Sequence, residues 1–234
     1  IYVMTNFIGI DGSKNGWVAV QQNSENLKQH ELKFCKKLVD LITPELKLAI
    51  VDMPIGLEEY TQKGGRLVDR EARKNLIKRK SSIFNAPCRG VLKAKNYDEA
   101  NFYSKKNGLG ISKQSWNLVS KIKELDKILR TKKRPFIYES HPELCFQKMN
   151  GNALKFSKKE PFGQKERMDL LHQNGFSKKF LNKYSKKNKN FQLDDFLDAC
   201  ALSWTAKRVV NKKNINIPEE EIKDNYGIIM QMKI

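Results

Sequence analysis

Three short apolar runs in this chain each end abruptly on a carboxylate: Phe7-Ile8-Gly9-Ile10-Asp11, Ala49-Ile50-Val51-Asp52 and Phe136-Ile137-Tyr138-Glu139. Runs of this length, bounded by Gly and Pro, fit buried strands better than helices. A carboxylate closing such a strand stands at the sheet edge, and the crevice outside strand ends is where open α/β sheets bind ligands. Near the other end of the chain, Asp194-Asp195-Phe196-Leu197-Asp198 opens an otherwise apolar helical segment, with Asp195 and Asp198 three residues apart on one face. Hard oxygen donors delivered to one place by rigid elements suit a divalent cation such as Mg²⁺ or Mn²⁺, and point to phosphoryl chemistry.

The rest of the pattern sets the fold class. Residues 7–11 and 16–21 read as a hairpin, 31–35 as a third strand and 46–51 as a fourth. Helical spacing follows over about 67–80, 97–106 and 116–130, then a short strand at 135–139, then helices over 141–149, 160–174 and 193–209. Residues 36–42 suggest a short helix and 81–96 a loop. The Lys/Asn-rich stretch 177–190 reads as a solvated loop or exposed helix, and 228–234 as a terminal edge strand. Strands first, then strands alternating with helices, predict an α/β fold: a mixed sheet, hairpin plus parallel strands, flanked by helices. The expected organisation is one ribonuclease H-like domain over 1–234 with a helical, basic insertion at about 60–133. In that arrangement the first and fourth strands are parallel neighbours, ~4.8 Å apart, which sets Asp11 beside Asp52.

Bulk composition narrows the partners. The formal net charge is +19, which favours a polyanion and nucleic acid first, although a lysine-rich composition by itself decorates a surface with charge. Residues 63–95 carry eleven Lys/Arg against two acids. Arg66, Arg70 and Arg73 share a helical face, and Arg79, Lys80, Ser82 and Arg89 follow, so this segment is the expected phosphate-contacting surface. Four scattered cysteines with no C-x-x-C pair suit a reducing compartment, and no apolar run reaches the ~18 residues needed to span a bilayer. A cytoplasmic protein with no membrane partner is expected.

Each motif also has a plainer reading. Asp-Gly-Ser-Lys-Asn-Gly is good turn chemistry, Asp52 can cap a helix or sit in a loop, and acidic residues in a first helical turn complement the helix dipole, with Asp194 the expected cap. In Glu139-Ser140-His141-Pro142-Glu143, capping accounts for Ser140, Pro142 and Glu143 but not for Glu139, which is a candidate further catalytic carboxylate. His141 is a candidate proton carrier.

Taken in order, Gly9-Ile10-Asp11-Gly12, Asp52-x-Pro54-Ile55-Gly56-Leu57, Arg66 to Arg73, Ser81-Ser82-Ile83-Phe84-Asn85-Ala86-Pro87, Glu139-x-His141-Pro142-Glu143 and Asp195 to Asp198 followed by Ala199 resemble the uncharacterised family called domain of unknown function 429. Its members are regarded as predicted nucleases with a ribonuclease H-like fold. The Gly-Ile-Asp start and Asp-x-x-Asp-Ala end also resemble Holliday-junction resolvases of the RuvC type. That resemblance implies Asp11, Asp52, Asp195 and Asp198 as metal ligands, with Asp52 standing where those resolvases carry a longer Glu, and it implies a two-fold dimer. The expected function is a two-metal nuclease acting on DNA or RNA. The alternatives are a nucleic-acid binder without turnover and an actin-like, sugar-kinase-type nucleotide-binding protein, which would need a second similar half.

Overall fold

The computed structural model describes residues 6–22, 29–131, 135–186 and 188–234. A seven-stranded mixed sheet runs through it. Strands β1 (Asn6–Ser13), β2 (Gly16–Gln22) and β3 (His30–Cys35) form an antiparallel meander. Then β4 (Leu46–Val51) lies parallel to β1 on its other side, and β5 (Phe136–Glu139) lies parallel to β4. A last hairpin, β6 (Asn216–Lys223) and β7 (Ile229–Lys233), completes the order β3-β2-β1-β4-β5-β7-β6. This mixed α/β arrangement is consistent with a ribonuclease H-like fold. Among the described residues seven helices flank the sheet: α1 (Leu67–Asn75), α2 (Tyr97–Lys106), α3 (Lys113–Leu129), α4 (Pro142–Asn150), α5 (Pro161–Gln173), α6 (Lys178–Tyr184) and α7 (Leu193–Val210). Among the described residues no helix is long and apolar enough to cross a membrane.

Strand alternation builds two cores. Phe7, Val18, Val20, Leu48 and Ile50 face one way, into a core closed by α4, α5, α6 and α7. Ile8, Ile10, Trp17, Ala19, Ala49 and Val51 face the other, against α3. Burial on both faces explains why β1 and β4 read as nearly continuous apolar runs. Helix α7 lies against β1 at main-chain contact. A Cβ on Gly9 would stand 2.0 Å from the Ser203 nitrogen and 2.6 Å from the Ala199 oxygen. Gly9→Val therefore has to part helix from strand. We expect it to cost at least the ~1–3 kcal/mol typical of overpacking, read as a lower urea midpoint; an unchanged midpoint would mean that α7 does not pack there.

The structure departs from the sequence pattern in five places. The stretch at 36–42 is a 3₁₀ turn, Leu38–Leu41, and 81–96 contains two more, Lys80–Ser82 and Arg89–Lys93. Helix α1 stops at Asn75, because Leu76 turns extended and buries its side chain. Within 177–190, α6 is half-sunk, since Phe180 and Leu181 are buried; residue 187 lies outside the described residues. The C-terminal strand is not the edge. Strand β6 is, and its acidic Glu219-Glu220-Glu221 faces solvent, which both protects an edge and hides it from an apolar-periodicity reading. Of the expected insertion at 60–133, α1, α2 and α3 are helical, while 132–134 lie outside the described residues.

Candidate active site

The parity of β1 that turns Ile8 and Ile10 toward α3 turns Asp11 toward α7. Strand β4 is in register with β1, Ile10 opposite Val51, and the Asp52 amide donates to the Ile10 carbonyl at 3.1 Å. Asp11 and Asp52 thus sit on adjacent strand ends. Asp198 comes from α7, one position before the residue that meets Gly9, and is buried. Asp195 lies one turn further toward the helix start and is half-buried.

The electrostatics confirm the convergence. Burial pushes the Asp11 carboxyl well above the ordinary range, and the charges of Asp52, Asp198 and Asp195 push it further. Asp52 is also raised, first by burial and then by Asp198, with His141 and Lys158 acting the other way. Asp195 is raised by burial, against a hydrogen bond from the Gln192 amide.

The carboxylates differ sharply in their partners. Asp195 Oδ2 accepts the Gln192 N–H at 2.8 Å and so caps its own helix, the role the sequence suggests for Asp194. Asp194 instead pairs with Lys159 Nζ at 2.5 Å. Asp198 Oδ2 pairs with Lys158 Nζ, also at 2.5 Å. Asp11 and Asp52 make no side-chain hydrogen bond or ion pair to any described residue. Lys158 itself is held in its charged form: burial opposes the charge, but Asp198 and Asp11 outweigh burial.

A cleft of about 240 Å³ opens on this group, lined among others by Asp52, Ser82, Phe84, His141, Lys158 and Asp198. His141 Nε2 stands 3.3 Å from the Ser82 carbonyl oxygen, which can only accept, so Nε2 carries the ring hydrogen. Its Nδ1 is buried and no described atom engages it; the Ser82 hydroxyl is likewise buried and unpaired.

Glu139 is not part of this group. Its register partner is Val51, and with Ile137 it faces the α3 side of the sheet, opposite to Asp52. There it accepts both Arg66 amino groups, at 2.7 and 3.0 Å, and the Ile55 amide at 2.7 Å. Glu139 thus anchors the scaffold while also lining the cleft with Asp52. Arg66, expected to contact phosphate, is turned inward. The guanidinium is buried, bonded to Asp69 at 2.6 Å and to the carbonyls of Ile55 and Gly56 as well as to Glu139, which ties α1 to the ends of β4 and β5.

The rest of the basic segment follows suit. Arg89 is buried between Asp126 and Asp224. Arg79 joins Glu143 to the Leu154 carbonyl, Arg73 holds the carbonyls of Ile83 and Gly64, and Arg70 holds Gln62 and the Gly65 carbonyl. Arg66 and Arg89 are thus buried and paired within the protein, whereas Arg70 and Arg79 engage protein oxygens through Nη1 and are partly exposed. Of the expected phosphate contacts, Lys80 is exposed and Ser82 lines the cleft. Asn15, in the β1–β2 turn, donates to the Lys189 carbonyl at 3.1 Å, and Lys186 and Lys189 are exposed.

Among the described residues no three His, Cys, Asp or Glu side chains are arranged to hold a metal ion unaided. The donor set nonetheless suits Mg²⁺, which keeps several waters and commonly takes only one or two carboxylates. Asp11 and Asp52 are two hard, adjacent carboxylates with no direct ion-pair partner among the described residues.

The model of the family described as "Protein of unknown function (DUF429)" matches residues 9–222. No curated protein and no solved structure matches the chain.

Proposed function

We propose that this chain, which belongs to the DUF429 family, is a divalent-metal-dependent phosphodiesterase acting on nucleic acid. The observation that carries the reading is the meeting of Asp11, Asp52 and Asp198 on one face at the ends of β1 and β4, with Asp11 and Asp52 making no direct hydrogen bond or ion pair to a described side chain. A bound Mg²⁺ or Mn²⁺ would polarise a phosphoryl oxygen and activate water there, with Asp11 and Asp52 as its protein donors. His141, which lines the cleft beside Asp52, is the residue placed to take up the proton of the attacking water. Ser82 and Phe84 wall the cleft and orient the substrate. Lys80, Lys186 and Lys189, all exposed, supply the counter-charge for a phosphate chain. Four free cysteines, three of them buried, suit a reducing, cytoplasmic setting.

A nucleic-acid binder without turnover would rely on free cations around the cleft, and Arg66 and Arg89 are committed internally. The test is hydrolysis of single-stranded and duplex oligonucleotides and of bis(p-nitrophenyl) phosphate in Mn²⁺. We expect cleavage that chelator stops and that Asp52→Asn lowers by at least ~10²-fold. Cleavage at the same rate in chelator, or in Asp52→Asn, sinks the reading.

A further inference from the structure

The four carboxylates of the site are too unequally matched for two divalent ions. Asp195 is turned to the Gln192 amide and Asp198 has an ammonium at 2.5 Å, so of the four only Asp11 and Asp52 lack a direct partner, and the Lys158 ammonium acts on both of them from beside Asp198. We infer that Lys158 is the site's second cation: its ammonium stands where a second divalent ion would otherwise bind, so the centre works with one metal ion and one lysine. This deepens the phosphodiesterase reading and rests on it.

The placement of Lys158 is built. The segment joining α4 to α5 is tied down just before it: the Lys155 and Phe156 amides donate to Glu166 at 2.9 and 3.2 Å, and the Leu154 carbonyl accepts Arg79 at 3.1 Å. Gly163 presses on the other side, where a Cβ would stand 1.9 Å from the Ser157 carbonyl. Glu143 bridges Arg79 and buried Arg167, at 2.8 Å each, and fastens this segment to α4 and α5. Lys158 therefore projects from a fixed main chain. The Lys158 side chain is 41% exposed, which weakens an ion pair, but its Asp198 partner is only 2% exposed. Pulling the ammonium away would strand a buried charge, so an arriving ion meets a site already filled on that side.

The chemistry follows from that position. In hydrolysis the water oxygen forms a bond to phosphorus, and its proton passes to His141. The bond from phosphorus to the leaving oxygen breaks with its electron pair on that oxygen. Lys158, remaining an ammonium, neutralises the charge that develops there, and solvent then supplies the proton. A fixed cation at the leaving oxygen acts only as charge appears, which is where stabilisation accelerates a reaction.

The test is calorimetric titration of the full chain with Mn²⁺, alongside hydrolysis of bis(p-nitrophenyl) phosphate at saturating Mn²⁺. The wild type should take up one ion per chain. Lys158→Met, which keeps the apolar stem, should take up two and lose turnover by ~10²-fold or more; Lys158→Arg should keep one ion and part of the activity. Two ions in the wild type would overturn the proposal, because Lys158 would then be a plug that metal displaces. It would equally fall if Lys158→Met bound one ion and turned over normally. Uptake of no ion by any variant would remove the metal reading itself, a result distinct from both. The wild-type stoichiometry decides the question even if Lys158→Met fails to fold.

Discussion

Asp11→Asn should abolish metal-dependent hydrolysis and, in chelator at neutral pH, melt at a higher temperature than the wild type. The second half follows from linkage. Burial and three neighbouring carboxylates hold the folded-state Asp11 carboxyl well above its unfolded value of ~3.9. Below that unfolded value the group is protonated in both states and costs nothing. As pH rises toward the folded-state value, only the unfolded chain releases its proton freely, so the folded state loses stability across that interval. Asp52, also raised, adds to the same trend. Asparagine carries no charge at any pH, so its advantage should be absent near pH 4, grow as pH rises, and disappear when Mn²⁺ neutralises the wild-type site. Melting curves from pH 4 to 8, with chelator and with Mn²⁺, check this. A wild type more stable than Asp11→Asn at pH 8 in chelator would show that Asp11 is already neutralised inside the protein.

Arg66→Met should destabilise the fold by about 3–5 kcal/mol, the usual cost of removing one partner from a buried ion pair. For a chain of this size that is a melting temperature lower by roughly 10 °C. The guanidinium holds Asp69, Glu139 and two main-chain carbonyls at once, and the substitution leaves two buried carboxylates facing each other. Nucleic-acid affinity and its salt dependence should not change in the protein that remains folded, since this side chain is 2% exposed. A stable Arg66→Met with weakened, salt-flattened binding would restore Arg66 to the phosphate-binding surface.

The contrast between Asp11 and Arg66 shows what can be read from the chain. The ends of β1 and β4 are legible because both strands are buried on both faces, and Pro54 and the Gly12–Gly16 turn mark where they stop. The pairing of β1 with β4 follows from the order of elements, and it brings Asp11 to Asp52 without further information. Glu139 is harder to read because a strand end reveals a carboxylate but not its face. Strand β5 is four residues long, and its parity depends on its register with β4. The arginines are hard to read for a related reason: helical spacing puts Arg66, Arg70 and Arg73 together, but whether they meet water or carboxylates depends on what folds over α1. Lys158 is invisible in advance. It is one of 45 basic residues, and only the anchoring of its segment by Glu143, Glu166 and Arg167 singles it out. Helix α6 was hidden by its lysines, which outnumber the two apolar side chains that seat it.

The glycine at position 9 has a wider consequence. Where most centres are spaced by side chains that yield to repacking, here the spacing between the β1 and α7 carboxylates is a backbone-to-backbone distance. Such a distance has no soft coordinate: it holds as long as sheet and helix remain in contact, and is lost when they separate. The spacing of the candidate site is thereby tied to the packing of sheet on helix, so hydrogen exchange of the β1 and α7 amides around Gly9 and Ser203 is expected to be among the slowest in the molecule.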